Sequence, residues 1–275
     1  MSQNTPTAAD MAELLEIGHV LADRSAEAIL PHFRRPISVD NKASDGGFDP
    51  VTEADRAAEV AIRRELERLA PDHGIVGEEF ASKPANGRYR WVVDPIDGTR
   101  AFIMGYPVWG TLIGLLHDET PLLGIMDQPF TRERFWSEGG VAYGRWAGCE
   151  RQRLATRPCP SLDAAVFSTT HPDLFAAGRE AEAFAALKAR TRMTRYGGDC
   201  YAYCLLAAGY VDIIFETGLK PHDIVALIPI VEGAGGAIST WTGEPATQGG
   251  AILATGDKRL HEAALGVLGG VLSRG

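Results

Sequence analysis

Cysteine is sparse, with four in 275 residues. None of Cys149, Cys159, Cys200 and Cys204 forms a C-x-x-C pair, and so few cannot staple a chain of this size as a disulfide framework. The seven histidines are scattered and include no H-x-x-x-H pair, so zinc has little to hold it and a reducing cytoplasm is the default setting. No apolar run approaches the length of a membrane span. The opening MSQNTPTAADMAELLEIG lacks the basic-then-apolar order of a signal peptide. Positive charge is in deficit: 27 Lys and Arg against 36 Asp and Glu leave a net charge of −9. That disfavours nucleic acid or an anionic membrane as the main partner. An anionic substrate stays open if a cation is bound in the site. Internal repeats and low-complexity linkers are absent as well.

What is present is an ordinary globular composition, 45% hydrophobic and 23% charged, long enough for one large domain or two closely packed halves. After a polar, frayed terminus to about residue 8, Leu14, Ile17, Leu21 and Ala28 form a helical stripe that ends near Pro31. Residues 40–50, DNKASDGGFDP, read as a loop from their Gly, Asp and Pro content. A second helix opens at Thr52, where Asp55 completes a capping box and Ala58, Ile62, Leu66 and Leu69 make the buried stripe. The segments WGTLIGLL, PLLGIMD and ERFWSE read as strands of an antiparallel meander, the first two flanking a turn at His117–Thr120. Between residues 145 and 160 the pattern changes. Strands AAVFSTT, TRMTRYGG and VDIIFET then alternate with helices over 176–189, 200–209 and 223–232, before strands GAISTW and GAILAT and a final helix from Lys258. Such alternation predicts a layered sheet with helices on its faces.

The stretch WVVDPIDGT, from Trp91 to Thr99, runs a hydrophobic strand into two carboxylates, a proline, a glycine and a hydroxyl. Carboxylates at the edge of a core are costly unless paired, and a metal ion is the usual partner. Asp55, Glu78, Asp94, Asp97 and Asp223 each fall where an element begins or ends, which is where sites are built. Hard divalent cations take oxygen ligands, and two ions about 3.5–4 Å apart can clamp both the attacking and the leaving oxygen of a phosphoryl transfer. Asp94 and Asp97, three apart across a proline-forced turn, could hold two ions from one short loop. Thr99 could position a water or meet a phosphate oxygen, Gly98 lets the backbone approach, and a helix after it offers amide donors. D-P-x-D-G is also a good turn sequence by itself, and Glu78 or Asp223 alone reads more often as a surface carboxylate or helix cap. The order and spacing of the whole set favour a site.

GEE at 77–79, DPIDGT at 94–99 and KPHDIVALIPIVEGAGG at 220–236, with DPVTEAD at 49–55, resemble in order the signatures of the inositol monophosphatase-like family of Mg²⁺-dependent phosphatases. The resemblance implies an α/β (α+β) fold, a layered α-β-α-β-α sandwich of the inositol monophosphatase and fructose bisphosphatase type. Residues 1–150 would form an N-terminal α+β half with most metal ligands, and 151–275 a C-terminal α/β half with the substrate wall and the last ligand, together one compact unit. It further implies two or three Mg²⁺ ions, the first on Glu78, Asp94 and the backbone carbonyl of Ile96, with Asp94 bridging to a second on Asp97 and Asp223. The phosphate would sit on the metals and on the amides of Gly98 and Thr99; Glu78 and Thr99, supported by Asp55, would orient the attacking water. Lys42 falls in a loop where the family has a lysine near the metals, and a cytoplasmic homodimer is implied.

RAFIMGYPVWGTLIGLL with GIMDQPFTRERFW, and RYGGDCYAYCLLAAGYVDIIFETGLKPHDIVALIPI, look like the family's histidinol-phosphatase branch, which acts in histidine biosynthesis. Asp199 follows Gly198 where inositol phosphatases have a small neutral residue, and Glu216 ends the next strand as the substrate-side acid. Histidinol phosphate carries an ammonium and an imidazole that charges near neutral pH, whereas inositol is a neutral polyol. A second carboxylate facing the organic half favours the cation. A cap for a helix beginning at Cys200 is the alternative for Asp199, which could do both. Hydrolysis of inositol 1-phosphate or another small polyol phosphate is the alternative. A non-catalytic phosphate-binding regulator is disfavoured because Glu78, Asp94, Asp97, Thr99 and Asp223 are all present. Trp109, Tyr201 and Tyr203 read as core or interface, and His222 as touching ligand or packing; the direction of Arg192 and Arg195 is open.

Overall fold

The computed structural model describes residues 6–42 and 50–273. Thr7 and Asp10 cap helix α1 (Ala8–Ile29) reciprocally, so Thr7 and Ala8 form a capped helix start rather than part of a frayed terminus; residues 1–5 lie outside the described residues. Strand β1 (Val39–Asn41) pairs antiparallel with β2 (Pro50–Thr52). The loop reading of 40–50 is therefore corrected at both ends, because ladder bonds between the two arms outweigh their turn-like composition; residues 43–49 lie outside the described residues. Helix α2 (Glu53–Leu69) starts at Thr52, whose hydroxyl oxygen accepts the Ala54 and Asp55 amides.

The first sheet has seven strands in sequence order: β3 (Gly74–Gly77), β4 (Tyr89–Asp97), β5 (Gly110–His117), β6 (Thr120–Gln128), β7 (Glu133–Glu138), β8 (Val141–Trp146) and β9 (Cys149–Arg153). β3 runs parallel to β4 and every later pair is antiparallel, so the expected meander is longer by β8 and β9. Helix α3 (Thr99–Met104) interrupts the path from β4 to β5. The chain enters the second sheet at β10 (Val166–Thr169), followed by α4 (Arg179–Lys188), β11 (Met193–Tyr196), α5 (Asp199–Ala207), β12 (Ile213–Leu219), α6 (Pro221–Ile224), α7 (Leu227–Gly233), β13 (Ala237–Thr240), β14 (Gly250–Thr255) and α8 (Lys258–Leu272). Its order is β11-β10-β12-β14-β13, with β10 parallel to both neighbours.

One helix was expected over 223–232; two are found. Pro221 presets φ in the first turn, so α6 begins two residues early. Pro229, the third residue of α7, has no N–H for the Val225 carbonyl, and the helix is interrupted at Val225–Ala226, between α6 and α7. The helix expected over 176–189 starts only at Arg179, after Gly178 at φ 97°.

Three apolar clusters set the layers. Leu14, Leu21, Ile62 and Leu66 of α1 and α2 cover one face of the first sheet at Trp91, Ile113 and Ile125. Cys204, Leu206, Leu227 and Ile230 of α5 and α7 fill the space between Leu112 and Met126 of the first sheet and Ile214 and Ile252 of the second. Leu187, Leu260 and Leu268 of α4 and α8 cover the far face at Phe167, Phe215 and Leu253. The result is an α-β-α-β-α sandwich.

Candidate active site

The end of β4 carries the centre of the site. A register shift against β5 between Asp94 and Asp97, at Pro95-Ile96, breaks the strand ladder and leaves two aspartates at one tip. Asp94 is 2% exposed, and its Oδ1 accepts the Ile96 amide at 3.0 Å. The Thr99 hydroxyl donates to the Ile96 carbonyl at 3.1 Å, which leaves that oxygen a second lone pair. Carboxylate oxygens of Asp94, Asp97 and Asp223 lie within 4.8 Å of one another. Asp223 reaches this point from α6, where its Oδ2 also accepts the Lys220 amide at 2.6 Å.

A second group joins Asp94 to Glu78, just after β3, and to His222, again within 4.8 Å. His222, left between ligand contact and packing by sequence, thus stands beside the carboxylates, with Nε2 3.5 Å from Asp223 Oδ1. Lys42 Nζ lies 2.9 Å from Glu78 Oε1 and 2.7 Å from Glu79 Oε1. Asp55 is fully buried: its Oδ2 accepts the Thr52 amide at 2.8 Å and hydroxyl at 2.5 Å, while Oδ1 has no hydrogen-bond partner among the described residues.

Burial, then the charges of Glu78, Asp97 and Asp223, push the Asp94 carboxyl well above the ordinary carboxylate range. Asp97 is raised likewise by burial and then by Asp223 and Asp199. Asp223 is raised by burial, and Asp55 is pushed up to about 6 by the same cause. Glu78 is the exception: burial opposes it, but the Lys42 ammonium holds it below its ordinary value. Buried carboxylates that raise one another in this way are short of positive charge. An all-oxygen group such as Asp94, Asp97 and Asp223 suits a hard divalent cation, and the orphaned Asp55 Oδ1 leaves an acceptor for a water beside it. The residues present therefore fit Mg²⁺.

Next to the aspartates is a cavity of about 200 Å³, lined among others by Asp97, Thr170, Asp199, Tyr203, Glu216 and Asp223. Glu216 Oε1 accepts the Thr170 amide at 2.9 Å and its hydroxyl at 2.6 Å, and the Tyr203 hydroxyl lies 3.4 Å from Oε2. Burial pushes Glu216 up to about 7 and Asp199 up to about 6. The cap reading of Asp199 is corrected. Asp199 is itself the first residue of α5, at φ 43°, and Gly198 before it makes no side-chain cap. The cap comes from Asp97, whose Oδ2 accepts the Cys200 amide at 2.7 Å, so one carboxylate serves both the metal group and the helix bearing Asp199. Gly98, at φ 86°, permits this approach, since a Cβ there would lie 3.1 Å from the Asp199 side chain.

Arg195 lines a different cavity, of about 450 Å³, with Tyr106, Tyr196 and Tyr201. Trp109 and Tyr203 are core residues, and the half-buried Tyr201 donates to Glu133 at 2.7 Å. Thr170 was missed from sequence. Its one signal is its place just past the end of β10, and only the 46-residue contact with Glu216 gives it meaning.

The sequence profile of the inositol monophosphatase family matches residues 10–271. The chloroplastic bifunctional phosphatase IMPL2 of Arabidopsis thaliana is 41% identical over 260 residues, covering 90% of this chain and 73% of the relative. A histidinol-phosphatase of Mycobacterium tuberculosis is 35% identical, with 91% and 96% covered. Among solved structures, an inositol monophosphatase from Zymomonas mobilis aligns at a TM-score of 0.82 with 42% identity, over 94% of this chain and 98% of that one. The chain belongs to the inositol monophosphatase family.

Proposed function

We propose that the protein is a Mg²⁺-dependent phosphomonoesterase that converts L-histidinol phosphate to L-histidinol and phosphate, a step of histidine biosynthesis. The observation that carries the substrate choice is the pair Asp199 and Glu216 in the cavity that also holds Asp97 and Asp223. Two carboxyls beyond those needed for cations, Glu216 buried and Asp199 half-buried, suit an organic half with its own positive charge. The histidinol-phosphatase relative supports the same reading.

In this reading Glu78, Asp94 and the Ile96 carbonyl would hold one ion, and Asp94, Asp97 and Asp223 a second. The chemistry Mg²⁺ supplies when bound is Lewis-acid stabilisation of the phosphoryl charge. The chain's own groups do the rest. The amides of Gly98 and Thr99 would meet the phosphate. Glu78 and Thr99 Oγ1 would orient the attacking water, supported by Asp55, whose Oδ1 is buried and without a hydrogen-bond partner among the described residues. Lys42 balances Glu78 from outside. Residues 1–150 would carry most of the cation site and 151–275 the wall that selects the ester, in an enzyme we place in the cytoplasm on its cysteine usage and read as a homodimer on its family resemblance.

The similarity to the Zymomonas mobilis inositol monophosphatase favours a second reading, hydrolysis of inositol 1-phosphate. Phosphate release from histidinol phosphate, inositol 1-phosphate, fructose 1,6-bisphosphate and adenosine 3′,5′-bisphosphate, measured in parallel with Mg²⁺ and with a chelator, separates them. Histidinol phosphate is expected to give the highest kcat/KM, and chelation to abolish release. Preference for inositol 1-phosphate would establish the second reading, and no release from any ester would leave a phosphate-binding regulator.

A further inference from the structure

Helix α2 carries a buried carboxylate with no part in the chemistry above. Glu59 lies one helical turn beyond Asp55 and is 0% exposed. Its Oε2 accepts the Glu79 amide at 2.7 Å, and its Oε1 accepts Arg63 Nε at 2.7 Å. Arg63 then donates through its terminal nitrogen to the Phe80 carbonyl at 3.1 Å. The turn that bears Glu78 is therefore hung from α2 by two charge-assisted bonds, at Glu79 and at Phe80.

The residue before Glu78 points to the same carboxylate. A Cβ on Gly77 would fall 2.0 Å from Glu59 Oε1 and 2.3 Å from its Cδ. Gly77 is not among the positive-φ glycines, so its backbone does not demand glycine; the space taken by Glu59 does. Glu78 is thus flanked by a glycine that makes room for Glu59 and an amide that bonds to it. A buried carboxylate is expensive, and a shorter or apolar side chain would fit this helix face at lower cost.

We infer that Glu59 is a positioning residue for the cation ligand Glu78: it fixes the β3 turn so that the Glu78 carboxylate meets Asp94. The inference rests on the cation reading above. Groups that orient a ligand without touching the metal commonly change affinity by about 10–100-fold when lost.

The test is direct binding of Mn²⁺, a paramagnetic stand-in for Mg²⁺, followed by electron paramagnetic resonance on the full chain. The variants are Glu59→Gln, Glu59→Ala, Gly77→Ala and the double change, each shown to be folded by circular dichroism without metal. Glu59→Ala is expected to weaken binding about 10–100-fold. Glu59→Gln keeps an oxygen for the Glu79 amide and is expected to lose less than about tenfold. Gly77→Ala should weaken binding in the wild-type background and add nothing once Glu59 is alanine, because the clash has gone. Should Glu59→Ala not fold, Glu59→Asp, one methylene short of the Glu79 amide, takes its place in the cycle. Wild-type affinity in Glu59→Ala, or an equal cost of Gly77→Ala in both backgrounds, overturns this inference alone. A wild type that binds no Mn²⁺ overturns the cation reading and the inference with it.

Discussion

Asp94 belongs to both carboxylate groups and is almost wholly out of water. Replacing it by asparagine removes the one charge the two cations would share. Asp94→Asn is expected to lose kcat/KM by roughly 10³-fold or more, the scale of losing a principal electrostatic stabiliser. Glu79→Gln is the matched control. Its carboxylate meets Lys42 at 2.7 Å and no metal group, so a loss under about tenfold is expected, comparable to weakening one charge-assisted hydrogen bond. Equal losses would reassign the metal-binding glutamate. A second prediction concerns His19, half-buried on α1 beside Arg134, whose pKa burial and that guanidinium lower to about 4. A histidine depressed in the folded state contributes stability that is present above its unfolded pKa near 6.5 and is lost as pH falls towards 4. The urea midpoint should fall between pH 7 and pH 4.5 by more in the wild type than in His19→Gln, and identical pH slopes would remove His19 from the account. At this scale the sequence is legible where residues work as neighbours. Asp94, Asp97, Gly98 and Thr99 stand in one short run, and their types declare an oxygen-rich turn. Thr170, Glu59 and the capping role of Asp97 are not legible, since each depends on a contact between segments 20 to 103 residues apart.

Among elements, the junction of α6 and α7 decides where Asp223 stands. Gly114 and Gly124 face each other across β5 and β6, and together they let Val225 and Ala226 settle onto the sheet. A Cβ on Gly124 would fall 1.8 Å from the Ala226 carbonyl oxygen, and one on Gly114 2.7 Å from a Val225 methyl. Gly124→Ala is expected to cost about 1–3 kcal/mol by overpacking, read from urea unfolding. It should also lower kcat in the protein that remains folded, because α6 carries Asp223. Wild-type stability in this variant would show that the junction has slack. The long periodic segments, α1, α2 and the hydrophobic strands, announce themselves through spacing alone. The break at Val225–Ala226 follows from the donor that Pro229, four residues on, does not supply to the Val225 carbonyl, a relation a linear reading overlooks. β1 and β2 hide in loop-like composition because each spans three residues and is stabilised only by the other.

Across the whole molecule the site is a seam. The first sheet delivers Glu78, Asp94 and Asp97; the second sheet and its helices deliver Asp199, Glu216 and Asp223. Asp97 bonds across the seam to α5, so the cation end and the organic end are held in one frame. The layered fold follows from the alternation of strands and helices, but the seam becomes visible only once the layers stack. In the proposed reading most of the cation site would come from the first side and the wall that selects the ester from the second, with Asp223 joining the cation group across the seam. The ratio of kcat/KM for histidinol phosphate to that for inositol 1-phosphate tests this most directly, compared between the wild type and Asp199→Asn in saturating Mg²⁺. Any general loss of folded enzyme cancels in that ratio. The account predicts a wild-type ratio well above one that falls about 10–100-fold in Asp199→Asn, as for the loss of one charge-assisted hydrogen bond of roughly 1.5–3 kcal/mol, with inositol 1-phosphate turnover little changed. A ratio that Asp199→Asn leaves unaltered, or a wild type that prefers inositol 1-phosphate, would contradict it.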